Sequence, residues 1–273
     1  MATRRTTITI CTTLLLLLGA GASLAANNIF FLHHSTGRNL IEEGDVRGSV
    51  QAYNTARDAQ IGFWDHDYNY IGLRNPSGAY LGYSYNIPGD NTYPDGLHQL
   101  WTTSNSARAA ILENHQIIAF KSCYPACDIT SDAQLQQYKT WYLQMRDVFD
   151  QYPHKVFVII SPPPRHRLAT SATTAARARD FANWLGSAEY MSGHANLRFY
   201  DLFDRMAHAD DGSDQANCLR YDYERSHSSN DSHPNVYANQ CEAPEFTQFL
   251  LDTAADVTPN DDMSWGAVKN TYR

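Results

Sequence analysis

IIAFKSCYPACDITSDAQLQQYKTWYLQMRDVFDQYPHKVFVII (117–160) is the stretch that decides the fold. Its ends, Ile117–Phe120 and Val156–Ile160, are short apolar runs bounded by polar or turn residues, the pattern of strands buried on both faces. Between them, residues 133–149 place Leu135, Tyr138, Trp141, Tyr142, Met145 and Phe149 at helical spacing. Working outward, residues 29–32 and 197–202 read as two more buried strands, and residues 175–185 as a helix carrying Ala178, Phe181, Ala182 and Leu185 on one face. Strand alternating with helix is the signature of a doubly wound α/β sheet. In such sheets chemistry gathers beyond the carboxyl ends of the strands.

The N-terminus sets the expected destination. Arg4 and Arg5 precede an apolar run at 8–20 that includes five consecutive leucines, followed by the small-residue stretch 19–26. That is a signal peptide, with cleavage expected after Ala25, because a membrane span needs roughly 20 apolar residues with polar flanks on both sides. The expected location is secreted or periplasmic, with no membrane attachment after cleavage. The full chain of 273 residues carries a formal charge of −8, and losing Arg4 and Arg5 makes it more negative still. An acidic chain without a basic run is a poor partner for nucleic acid. Residues 26–273 suit one domain. Four cysteines remain in that stretch, and an even number in an oxidising compartment predicts disulfides, Cys123 with Cys127 and Cys218 with Cys241. A four-cysteine zinc site would want paired C-x2-C knuckles, which are absent.

Two short segments carry the chemistry. His33-His34-Ser35-Thr36-Gly37 follows the first strand, so Ser35 stands where a helix N-terminus can stabilise an oxyanion. A serine there is also an ordinary helix cap. Far along the chain, Asn230-Asp231-Ser232-His233-Pro234-Asn235 offers His233 as a base and Asp231, two residues before it, as the acceptor that fixes the ring. Taken alone, that segment is equally a surface turn.

Together the two segments resemble those of the SGNH/GDSL hydrolases. The resemblance implies a flavodoxin-like, three-layer α/β/α sandwich with a mainly parallel sheet. It also implies catalytic roles for Ser35, Asp231 and His233. Ser161-Pro162-Pro163-Pro164 after the third strand fits as well. There are departures. Histidines replace the family's glycine and aspartate before the serine, and Asn230 stands where its aspartate is usual. The family's oxyanion asparagine is replaced by Lys121-Ser122, so Lys121, Ser122 or Asn91 is expected to donate instead. Gly89 falls where the family's glycine N–H donor lies, and His34 beside the nucleophile is a further substrate contact.

The segment 63–101 is crowded with aromatic and turn residues and shows little regular pattern. It reads either as loops over the site or as an aromatic packing layer. The expected activity is a secreted serine esterase that removes acyl groups, O-acyl esters on a carbohydrate first among them, with no metal or cofactor. A histidine base predicts turnover that rises with pH as the ring loses its proton. One rival is a non-catalytic carbohydrate-binding or scaffold protein, for which the tyrosines and tryptophans speak. The other is a metal hydrolase built from His33, His34, Asp65, His66, Asp67, Asp231 and His233.

Overall fold

The computed structural model describes residues 28–89 and 91–257. The expected signal peptide and its cleavage point lie outside them. The elements run β1 (Asn28–Leu32), α1 (Ser35–Glu43), α2 (Val46–Arg57), β2 (Gly62–His66), β3 (Leu73–Arg74), α3 (Pro94–Thr102), α4 (Ser106–Asn114), β4 (Ile117–Phe120), α5 (Asp132–Phe149), β5 (Val156–Ile160), α6 (Ala172–Leu185), α7 (Ala188–Met191), β6 (Leu197–Tyr200), α8 (Leu202–Met206) and α9 (Val236–Val257). They build one six-stranded sheet in the order β3-β2-β1-β4-β5-β6. All neighbours pair in parallel except β2 with β3. The five parallel strands thus follow the flavodoxin-like order.

The alternation of side chains along the strands makes the three layers. Ile29, Phe31, Ile117, Ala119, Val156 and Val158 face one core, with Leu40 and Ile41 of α1, Val50 of α2 and Phe246, Leu250 and Leu251 of α9. Phe30, Leu32, Ile118, Phe120, Phe157 and Ile159 face the other, covered by Leu97 and Trp101 of α3, Tyr142 and Phe149 of α5 and Phe181 of α6. Helices α5 and α6 begin earlier than the apolar spacing indicates. Ser131 and Ser171 accept the N–H groups of Gln134 and Thr174, each at 3.2 Å, which fixes those starts. The run expected at 197–202 is a strand only to Tyr200, and α8 begins at Leu202.

Segment 63–101 is mainly irregular, as its composition predicts, with short regular pieces inside it. It contributes β2, β3 and α3. Strand β2 reads GFWDH, and its polar half hides it: Asp65 and His66 are both fully buried. Asp65 is compensated by Arg47 and by Arg74, whose Nε donates to Oδ2 at 2.7 Å, so a charge occupies a position that periodicity reserves for an apolar side chain.

The expected disulfides are corrected. All four cysteines are free thiols. The short 3-10 turn at Tyr124–Cys127 sends the first pair to different partners: Cys123 Sγ lies 3.4 Å from Thr36 Oγ1, whereas Cys127 Sγ donates to the Pro163 carbonyl at 3.3 Å. Of the second pair, Cys218 is buried and Cys241 is exposed on α9.

Two buried histidines make the fold sensitive to acid. His66 Nε2 accepts the Tyr85 N–H at 3.2 Å, a bond that protonation would abolish. Burial lowers the pKa of His66 to about 4 and that of His115 to about 3. In the unfolded chain both rings take a proton near 6.5. Their stabilising contribution is therefore complete above that value and lost as pH falls towards 4 and 3. Each extra proton bound on unfolding costs about 1.4 kcal/mol per pH unit. The urea midpoint is expected to fall between pH 7 and pH 4.5, less steeply in His115→Gln. An unchanged midpoint in the wild-type chain would contradict neutral buried rings.

Candidate active site

Helix α1 begins directly beyond the carboxyl end of β1, between β2 on one side and β4 on the other, the switch point of this sheet. Its first N–H groups have no intrahelical acceptor and carry the positive end of the helix dipole. Ser35 is its first residue. The close turn depends on Gly37, because a Cβ there would come within 2.4 Å of His33 Cβ.

His233 lies 198 residues further along, yet its Nε2 stands 2.8 Å from Ser35 Oγ. Its Nδ1 stands 2.6 Å from Asp231 Oδ1, which also accepts the His233 backbone N–H at 3.1 Å. These partners assign the tautomer: Nδ1–H donates to the carboxylate, and Nε2 accepts from the serine. Partial burial raises the Asp231 carboxyl, but hydrogen bonds from the His233 ring and backbone outweigh it and hold the group below the usual carboxylate range. Asp231, not Asn230, therefore faces the ring.

The segment bearing Asp231 and His233 has no regular structure, so side chains fix it. Glu43, the last residue of α1, accepts from Arg225 Nη2 and from Asn239 Nδ2, both at 2.6 Å. Arg225 Nε donates to the Pro234 carbonyl at 2.9 Å. On the other side the buried Ser232 hydroxyl accepts the His166 N–H at 2.9 Å, tying the segment to the loop after β5. The buried Glu224 carboxylate meets His166 Nε2 at 3.0 Å, His227 Nδ1 at 2.9 Å and Arg167 Nε at 3.2 Å. None of these supports carries a sequence signal of its own; Ser232 alone lies inside the recognised segment.

The remaining candidates separate. Asn91 is buried, and its Nδ2 has no hydrogen-bond partner among the described residues. The next residue, Thr92, is tied to the turn before Ser35: its hydroxyl lies 2.8 Å from His34 Nδ1, and its carbonyl accepts the Cys123 N–H at 3.0 Å. Lys121 is buried beneath α1 and donates to Thr36 Oγ1. Burial holds its ammonium below the usual lysine value, opposed by the nearby Cys123 and Asp67. Ser122 points the other way, into the layer of α5, where it approaches the Tyr142 phenol without full hydrogen-bond geometry. Gly89 packs against α3, with φ +64° and Gly96 Cα 3.1 Å from where a Cβ would lie, so its backbone accounts for the glycine.

Two tyrosines that the sequence does not single out flank Ser35 and His233. Tyr68 reaches Ser35 Oγ with its hydroxyl at 3.5 Å and stacks on His34 with ring centres 4.0 Å apart. Tyr124 stands edge-on to His233, ring centres 5.0 Å apart.

The metal-ligand candidates face other partners. Asp67 pairs with Arg38 at 2.9 Å, and His33 Nδ1 lies 2.8 Å from the His34 carbonyl with Nε2 2.9 Å from Asp65 Oδ2. That second geometry favours a charged ring, but two arginines already balance Asp65, and burial prevails, lowering the His33 pKa to about 3. Among the described residues no three His, Cys, Asp or Glu side chains converge as a ligand set.

No protein-family model matches the chain, and no curated protein matches it. Among solved structures it is similar to one described as "The structure of a putative platelet activating factor from Streptococcus pneumonia", at 13% identity over 85% of this chain and 86% of that one, with a TM-score of 0.42. A likeness at that level carries no inference about chemistry.

The Glu43 clamp is testable without a substrate. Glu43→Ala is expected to lower the unfolding free energy by about 1–3 kcal/mol and to speed hydrogen exchange at residues 231–235. Unchanged exchange there would mean that the segment is held by other contacts.

Proposed function

We propose that the protein is a serine hydrolase acting on esters, in which Ser35 attacks the acyl carbon, His233 takes and returns the proton, and Asp231 holds the ring. The observation that carries this reading is the unbroken chain of contacts from Ser35 Oγ through His233 to Asp231, at 2.8 and 2.6 Å, at the first residue of a helix. A helix-cap role for Ser35 asks for no histidine at its hydroxyl and no carboxylate behind that histidine.

In the reaction the Ser35 hydroxyl adds to the ester carbonyl as its proton passes to His233 Nε2. Asp231 remains ionised and accepts from Nδ1–H, stabilising the imidazolium. The oxyanion meets the first N–H groups of α1 and the Asn91 amide, a buried donor without a partner among the described residues. Lys121 acts from beneath, through Thr36, and does not touch the substrate. His233 then protonates the leaving alcohol. Water, deprotonated by the same ring, frees the acid from Ser35. The substrate is an O-acylated carbohydrate outside the cell or in the periplasm. The apolar N-terminal run supports the location, and the tyrosine-rich surroundings of Ser35 support the carbohydrate. The triad and its surroundings make the chain a divergent SGNH-type enzyme in this reading.

Ser35→Ala and His233→Ala are each expected to abolish nearly all turnover of a simple acetate ester, with the double variant little worse than either. Asn91→Ala is expected to lower kcat by about a hundredfold or more. Turnover at the wild-type rate in Ser35→Ala would overturn the mechanism, and full activity in Asn91→Ala would remove Asn91 from the oxyanion site.

A further inference from the structure

Three near-parallel rings step outward from the nucleophile. His34 stacks on Tyr68 at 4.0 Å with planes 21° apart, and Tyr68 stacks on Tyr70 at 5.3 Å with planes 15° apart. The innermost tyrosine touches Ser35 Oγ, and the outermost is 83% exposed. Leaving an aromatic ring in water forgoes the gain of burying it, and here the backbone enforces it. The Ile71 and Gly72 N–H groups both donate to the Tyr68 carbonyl at 2.8 Å, closing a tight turn with Tyr70 at its tip. Gly72, at φ +84°, is where that turn needs glycine. Asn69 locks the same turn from the side: its amide donates to the Ile87 carbonyl at 2.9 Å, and its Oδ1 accepts the Ile87 N–H at 2.9 Å. Tyr70 is thus held out by a braced turn.

We infer that Tyr70, backed by Tyr68, is a stacking platform for a sugar ring of a neutral glycan whose ester lies over Ser35. This deepens the esterase reading above and rests on it for the position of the ester. Three observations select the ligand. The exposed large apolar side chains within segment 63–101 are Tyr70, Tyr80, Tyr83 and Tyr93, all aromatic with a hydroxyl and none aliphatic. Such rings offer a flat apolar face and a polar edge, which suits the C–H face and hydroxyls of a pyranose; an acyl chain would be met by aliphatic residues. The chain is acidic, with a formal charge of −8, which disfavours a polyanionic glycan. Tyr93 adjoins Thr92, whose hydroxyl meets His34, so a second tyrosine borders the same turn.

The test combines binding and turnover on the full-length mature protein. Isothermal titration with xylohexaose, cellohexaose, mannohexaose and chitohexaose reads the platform alone, because none carries an ester. At least one is expected to bind, with affinity weakened tenfold or more in Tyr70→Ala and kept within about threefold in Tyr70→Phe, which retains the ring. No binding by any of the four, or equal binding by Tyr70→Ala, overturns the platform. Acetylated forms of the bound oligosaccharide and 4-nitrophenyl acetate are then compared. Tyr70→Ala is expected to lower kcat/KM for the oligosaccharide at least tenfold more than for the aryl ester, mainly through KM. Equal losses on both would mark Tyr70 as structural and overturn it too, as would preference for a decanoyl ester that Tyr70→Leu preserves. Failure of the esterase reading looks different: the wild-type chain would turn over neither ester while Tyr70-dependent titration persisted.

Discussion

The hydrogen bond between Ser35 and His233 joins residues 198 apart, and much of the polar structure at this end of the sheet serves to hold its two halves in register. The serine half is fixed by the fold itself. It stands on the first residue of a helix that leaves the sheet at its switch point, and Gly37 lets that helix close against His33. The histidine half has no such support. It sits in the irregular loop closed by the isolated bridge between Glu224 and Pro234, so no continuous backbone ladder sets its position. Charged side chains supply what the backbone lacks. Glu43 reaches from the end of α1 to both Arg225 and Asn239, so the helix that starts with the serine also ends with the residue that grips the histidine segment.

Beneath Ser35 the interior is polar. Asp65 sits inside a parallel strand with two arginines, and Lys121 follows β4 into the same layer. Buried charges of this kind cost stability relative to apolar packing and are retained only when their partners are well placed. Their arrangement here is selective. Arg47, Arg74 and Arg38 balance the carboxylates, whereas Lys121 has a hydroxyl and a carbonyl as its hydrogen-bond partners. A cation so placed under the first turn of α1 adds to the positive potential of the helix end, where negative charge would develop in ester cleavage.

The layers of the fold were readable because five of the six strands are parallel, because β1, β4 and β5 carry continuous apolar runs, and because α5 keeps one buried face from Tyr138 to Phe149. Two strands escaped: β3 is only two residues long, and in β2 the buried Asp65 and His66 find their partners in Arg47, Arg74 and Tyr85, away in sequence, which no local pattern reveals. The cysteine pairing failed similarly, since closeness in sequence says nothing about which way two thiols turn at the ends of a 3-10 turn. At the candidate site, Ser35, His233 and Asp231 were legible as chemistry-bearing types in two short segments. Tyr68 and Tyr124 were not, because in a chain with 17 tyrosines nothing local separates a ring at the site from a ring in the packing. Nor does the sequence show that Ser122 turns towards Tyr142 in the layer of α5.

Covalent labelling reports on whether Ser35 is an activated nucleophile. A fluorophosphonate reacts with a serine whose proton can be taken by a positioned base, and the adduct can be located by peptide mass spectrometry. One adduct is expected, on Ser35, formed by the wild-type protein at neutral pH and lost in His233→Ala although Ser35 is still present. A folded wild-type protein that stays unlabelled, or an adduct on Ser35 that forms equally fast without His233, would contradict an activated Ser35.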